Sequence, residues 1–245
     1  MLDDIQLSSI LFIDIETVPF WSGYEEMPNH FKELWDKKSS YFREENESAK
    51  DVYQRAGIYA EFGKIICVSV GYLYQDEKNR KIRLKSFFSD DEKELLIEFS
   101  DLLKKYSSRN KLHLCGHNGK EFDFPYLARR MLINGIKLPG VLDVAGKKPW
   151  EVSFIDTMNL WKFGDYKHFT SLDLLTRVFG IPTPKDQMDG SMVADVYYKD
   201  HNLNAIVEYC ERDVVAVVQL ILKFRGDELI PVENIESTTQ FEDKK

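Results

Sequence analysis

The chain has 245 residues, 43% of them hydrophobic, and a formal net charge of −8 from 33 Lys and Arg against 41 Asp and Glu. That length and apolar content can bury a full core without staples, and no apolar run is long enough to span a bilayer, so no membrane association is expected. The acidic excess is a poor match to broad phosphate binding, and three cysteines without Cys-x-x-Cys spacing argue against a disulfide framework or a zinc site.

Met1-Leu-Asp-Asp-Ile-Gln lacks the charged and apolar regions of a signal peptide, so a cytoplasmic location is expected. Residues 9–16 read as the first strand. Side chains alternate along a strand, so Asp14 and Glu16 share one face and Ile13 and Ile15 the other, and Pro19 ends the ladder. Two carboxylates after so apolar a lead-in repel each other and lose hydration. A hard divalent cation such as Mg²⁺ or Mn²⁺ relieves both penalties; the alternative is an ordinary strand end dipping into water.

Residues 20–62 interrupt the pattern with an excursion far longer than a hairpin loop. Its highly charged part, 28–55, carries Phe31, Trp35, Tyr41, Phe42 and Tyr53 and is expected to be partly helical and surface-mounted. Residues 64–74 and 81–88 read as an antiparallel hairpin about a polar turn at 75–80. Ser89-Asp-Asp-Glu92 has the spacing of a capping box and opens a helix with Leu95, Leu96, Phe99, Leu102, Leu103 and Tyr106 on one face.

Residues 112–116 form a short strand, followed by His117-Asn118-Gly119-Lys120-Glu121-Phe122-Asp123. A helix over 124–134 has Pro125 in its first turn and Gly135 past its end. Residues 152–156 are a further strand, and a helix over 171–179 is stopped by Gly180 and Pro182. The last helix, 203–224, places Leu203, Ile206, Val207, Cys210, Val214, Val217, Val218 and Ile221 at helical spacing. Tyr209 and Asp213, four apart, share a face of it. The result is one α/β domain over 1–230 with an insertion at about 20–62, and a polar, disordered tail over 231–245.

Three segments together carry a resemblance. Phe12-Ile-Asp14-Ile-Glu16-Thr17, His117-Asn118-Gly-Lys-Glu-Phe-Asp123-Phe-Pro-Tyr-Leu127 and Tyr209-Cys-Glu-Arg-Asp213 resemble the three motifs of the DEDD superfamily, the DnaQ-like 3′–5′ exonucleases. The tyrosine four residues before the last aspartate is that of the DEDDy branch. The DEDDh branch has a histidine one position earlier, where this chain has Glu208. The wording of the motifs, with Asp189-Gly-Ser-Met-Val193, is similar to stand-alone predicted PolB-like exonucleases, over about 9–225. Three weak motifs in the right order are specific where each alone is not.

The resemblance implies a ribonuclease-H-like fold, a mixed sheet of about five strands flanked by helices on both faces. It implies a 3′–5′ exonuclease acting by a two-metal-ion mechanism on single-stranded or frayed 3′ ends, with DNA favoured over RNA. Two Mg²⁺ ions, replaceable by Mn²⁺, would be held by Asp14, Glu16, Asp123 and Asp213. In the family, Asp14 would bridge both ions, Glu16 and Asp213 would complete the ion carrying the attacking water, and Asp123 would hold the second ion largely through waters. Tyr209 would orient that water and share its proton.

Around them, Thr17, Asn118, Phe122 and Lys185 are candidate substrate contacts. Asn118 reads equally as a loop tie, Phe122 as core, and Asp123 as a helix N-cap that still has an oxygen to spare. Asp156 reads as a strand-end turn residue, His117 and His168 as structural hydrogen-bonders, and Cys210 as a packed thiol. Basic spots at Arg129-Arg130, Lys147-Lys148, Lys162 and Lys167-His168 read mainly as solvated surface. The insertion is expected as a flap that leaves the catalytic strand and stacks against bases, with a decorative insertion as the alternative. A separate polymerase or repair partner is conceivable. The alternative functions are a 3′–5′ exoribonuclease on the same site, or a non-catalytic nucleic-acid-binding or polymerase-accessory module.

Overall fold

A computed structural model describes residues 2–76, 79–107, 111–165, 167, 169–182 and 188–241. Six strands form one sheet: β1 (Ile10–Pro19), β2 (Gly63–Asp76), β3 (Asn79–Phe88), β4 (His113–Gly116), β5 (Phe154–Asp156) and β6 (Ile235–Ser237), in the order β5-β4-β1-β2-β3-β6. The helices are α1 (Asn29–Ser39), α2 (Glu92–Ser107), α3 (Asp123–Ile133), α4 (Thr157–Lys162), α5 (Leu172–Val178), α6 (Val193–Tyr198) and α7 (Leu203–Arg225). The sheet is mixed. β1 runs antiparallel to β2 and parallel to β4, β2 antiparallel to β3, β4 parallel to β5, and β3 parallel to β6. The sheet is mixed, as expected, and has six strands in place of about five.

The alternation in β1 sorts the layers. Leu11, Ile13 and Ile15 join Leu95 and Phe99 of α2 and Leu127 of α3 on one face. Ile10 and Phe12 join Val214, Val217 and Ile221 of α7 on the other. Asp14 and Glu16 continue the second face, toward α7. Gly71 of β2 lets that helix come close: a Cβ there would lie 2.7 Å from Val214 Cγ1. At its N-terminus α7 is capped by Asn202, whose side chain accepts from Ala205 N–H at 3.2 Å, and at its C-terminus by Gly226 at φ +76°.

Several expectations change. Asp91, not Ser89, caps α2: its Oδ1 accepts the amides of Lys93 at 2.9 Å and Glu94 at 3.3 Å, while Ser89 Oγ takes the Asp91 amide. Glu92 is released from capping and buried, where it accepts from Arg130, Asn134 and the Ile65 amide. The short helices α4 and α6 have too few turns to show a periodicity in sequence.

Most rings of the insertion pack on one another, while Phe20 and Tyr41 are exposed. Trp35, Tyr53, Phe31 and Phe42 build their own cluster with Met27, Val52 and Phe62. Trp35 Nε1 donates to Ala49 O at 2.8 Å, and of the five aromatics only Tyr41 is exposed, at 81%. Burying rings among themselves outweighs leaving them in water for an occasional base.

The tail expected to be disordered contains β6. Ile82 pairs with Ile235 and Leu84 with Ser237. Glu236 meets Lys81 at 3.0 Å, Arg83 at 3.3 Å and the Tyr74 hydroxyl at 2.8 Å. A polar segment orders here because it covers an open sheet edge lined with cations. Residues 242–245 lie outside the described residues.

Candidate active site

Three elements meet over the middle of β1. β1 carries Asp14 and Glu16, the first turn of α3 carries Asp123, and α7 carries Tyr209, Cys210 and Asp213. Ligand atoms of Asp14, Glu16 and Cys210 lie within 4.8 Å of one another. Cys210 Sγ donates to Asp14 Oδ2 at 3.2 Å, leaving the other carboxylate oxygen available. The thiol packs against Cys67 and Val207, and burial pushes its pKa up, so it remains a neutral donor.

The four carboxylates act on one another. Burial, then Asp213, Glu16 and Asp123, hold the Asp14 carboxyl well above its usual range. Burial and then Asp213 raise Glu16 in the same way. Asp123 is pushed up to about 7 by burial, partly offset by its own amide and that of Ile15, with Asp156 and Asp213 raising it further. Burial is the largest cause of all three shifts. Tyr209 is raised strongly, first by burial and then by Asp213, Glu16 and Asp14, and its hydroxyl hydrogen-bonds Asp213. Its phenol therefore stays protonated and donates.

Asp123 is not a helix N-cap. It is the first helical residue, behind Phe122, its carboxylate accepts from its own amide and that of Ile15, and it is only 4% exposed. The loop before it is held by Asp156, whose carboxylate accepts the amides of Asn118 at 3.1 Å, Lys120 at 3.0 Å and Asn159 at 3.1 Å. Asp156 thus caps α4 and clamps a loop 36 to 38 residues earlier, a role no sequence signal near it announces. Asn118 takes φ +63°, a conformation asparagine tolerates. His117 is structural: Nε2 lies 2.9 Å from Thr170 O and Nδ1 2.9 Å from Thr157 Oγ1, and burial lowers its pKa, favouring the neutral ring.

Among the other candidates, Phe122 packs on the core with its ring 5.4 Å from Tyr126, which favours the packing reading over a wedge. Thr17 sits where the β1–β2 register shifts, and its hydroxyl bonds that of Tyr126. Lys185 and His168 lie outside the described residues. Cys210 is the participant the sequence undervalued, because nothing in a helical repeat says that a packed thiol will meet a strand carboxylate.

A family described as "Predicted 3'-5' exonuclease related to the exonuclease domain of PolB" matches residues 58–231. The match includes Asp123, Tyr209 and Asp213 and begins after the strand bearing Asp14 and Glu16. Two solved structures are similar over 83% of this chain, both with a TM-score of 0.40. One, titled "ExoI/SSB-Ct complex", is 10% identical and covered over 43% of its length. The other, "Product bound structure of exonuclease I at 1.5 angstrom resolution", is 12% identical and covered over 46%. The chain spans less than half the length of either.

Proposed function

The chain belongs to the family of predicted 3′–5′ exonucleases related to the exonuclease domain of PolB, and on that premise we propose that it removes nucleotides from single-stranded or frayed 3′ ends of DNA. Two divalent cations, Mg²⁺ or Mn²⁺, would be held by Asp14, Glu16, Asp123 and Asp213. One observation carries this reading: β1, α3 and α7 bring four carboxylates close enough that burial and their mutual repulsion drive Asp14, Glu16 and Asp123 toward their protonated forms. Such a donor set, all hard oxygen, fits divalent cations and is unfavourable without them.

Bound cations supply positive charge to the scissile phosphate, the attacking water and the leaving oxygen. The chain's own groups place those partners. Cys210 holds one carboxylate oxygen of Asp14 in place. Asp156 fixes the loop that leads into Asp123. Tyr209, whose hydroxyl hydrogen-bonds Asp213, is placed to orient the water and share its proton.

The test is digestion of 5′-labelled DNA and RNA strands, single and double, in Mn²⁺ and in EDTA. A shortening ladder on DNA that needs Mn²⁺ is expected, and faster cutting of RNA would reassign the substrate. Asp14→Ala should abolish activity and most of the rise in melting temperature that Mn²⁺ produces. Retained activity in that purified variant would end the metal-site reading.

A further inference from the structure

Glu211 lies on α7 between Tyr209 and Asp213, yet its carboxylate engages the other side of the helix. Its Oε1 accepts from Ser86 Oγ at 2.9 Å, Ser237 Oγ at 3.0 Å and Thr239 Oγ1. The residue is 9% exposed. Its hydroxyl donors are fixed in turn. Thr239 Oγ1 accepts the Ser86 amide at 2.8 Å, and the Thr238 amide and hydroxyl both donate to Leu84 O, at 3.0 and 2.9 Å. With Ser86 donating to Glu211, the 2.8 Å contact between Ser69 and Ser86 requires Ser69 to be the donor. The hydroxyl bonds thus converge on Glu211, from Ser69 through Ser86 on one side and from Ser237 and Thr239 on the other.

The Ser237 and Thr239 hydroxyls come from the segment that adds β6 to the sheet, and the family match stops before it, at residue 231. Residues two apart on a helix point about 200° apart. A clamp on Glu211 therefore holds the back of the turn whose front presents Tyr209 and Asp213. Turning α7 by ~10° would move a group ~6 Å from its axis by about 1 Å, and a displacement of that size can cost on the order of 10²-fold in rate.

We propose that Glu211, clamped by the strap of residues 235–239, is a positioning residue that sets the rotation of α7 and so aims Tyr209 and Asp213 at the carboxylates of β1. It rests on the site proposed above. The strap gives this chain a support for that site from outside the matched region.

The test uses the full chain with Glu211→Ala, Glu211→Gln and the double variant Ser237→Ala/Thr239→Ala, assayed well below their melting temperatures. Glu211→Ala and the double variant should lower kcat on a single strand about tenfold or more and raise the half-activating Mn²⁺ concentration, with KM for the strand unchanged. Glu211→Gln, whose carbonyl still accepts the hydroxyl bonds, should keep most of the rate. If Glu211→Ala does not fold, the double variant decides, because it removes two hydroxyls and no core. Wild-type kcat and Mn²⁺ response in the double variant would overturn the proposal, even with a lowered melting temperature. Asp213→Asn is the reference. If it is inactive while the strap variant is normal, only the strap inference fails; if it is fully active, the site itself fails.

Discussion

At the scale of single residues, Tyr209 and Asp213 share one helical face but differ in what they contribute. The phenol is polar, largely buried and held protonated beside three carboxylates, whereas Asp213 is one of those carboxylates. Tyr209→Phe keeps the ring and loses only the O–H. It should lower turnover by on the order of 10²-fold while leaving metal and strand binding nearly intact, the signature of an interaction made mainly in the transition state. Asp213→Asn should weaken metal binding as well. Single-turnover rates with a metal titration separate the two, and an unchanged rate for Tyr209→Phe would return that residue to packing.

At the scale of elements, the approach of α7 to the sheet decides whether the two halves of the site meet. Gly71 creates that approach. A methyl group there would press on Val214 Cγ1, a β-branched side chain with little freedom to move, and would crowd Leu84 Cδ2 at 3.1 Å. Gly71→Ala is therefore expected to destabilise the fold by about 1–3 kcal/mol, the usual cost of overpacking. Urea unfolding measures it, and a variant as stable as the parent would mean that α7 shifts freely. The insertion teaches the opposite lesson. Much of its aromatic content builds its own small core, with Trp35 fully enclosed, and leaves Phe20 and Tyr41 exposed.

At the scale of the whole molecule, the acidic cluster links stability to pH and metal. Asp14, Glu16 and Asp123 titrate above their ordinary values, Asp123 at about 7 against a reference of 3.8. Without metal, the folded state then binds more protons than the unfolded chain between about pH 4 and 7, so stability falls as pH rises through that window. The favourable contribution is complete below about pH 4 and lost above the folded-state values. In EDTA, the melting temperature of the parent should fall relative to Asp123→Asn as pH rises from 4 to 8, and Mn²⁺ should restore it most at the alkaline end. A constant difference between the two proteins across that range would remove the linkage. The polarity of the reaction also belongs to this scale. A site that needs a free 3′ terminus should leave sealed single-stranded circles intact while linear strands shorten, and rapid cutting of circles would instead indicate an endonuclease.

What the amino-acid order determined by itself was local and periodic. Alternation in β1 put Asp14 and Glu16 on one face, helical spacing put Tyr209 and Asp213 on another, and the order of strands and helices implied the α/β sheet. These follow from periods of two and 3.6 residues, which need no knowledge of distant neighbours. Only the tertiary structure decided the rest. It brought Cys210 to Asp14, set Asp156 to clamp the loop before Asp123, packed most of the insertion's rings on one another, and ordered the polar tail as β6 on an open edge. Each of these depends on which surfaces remain uncovered once the sheet has formed, and the energy of covering them is a property of the assembled core and its edges, absent from any short stretch of sequence.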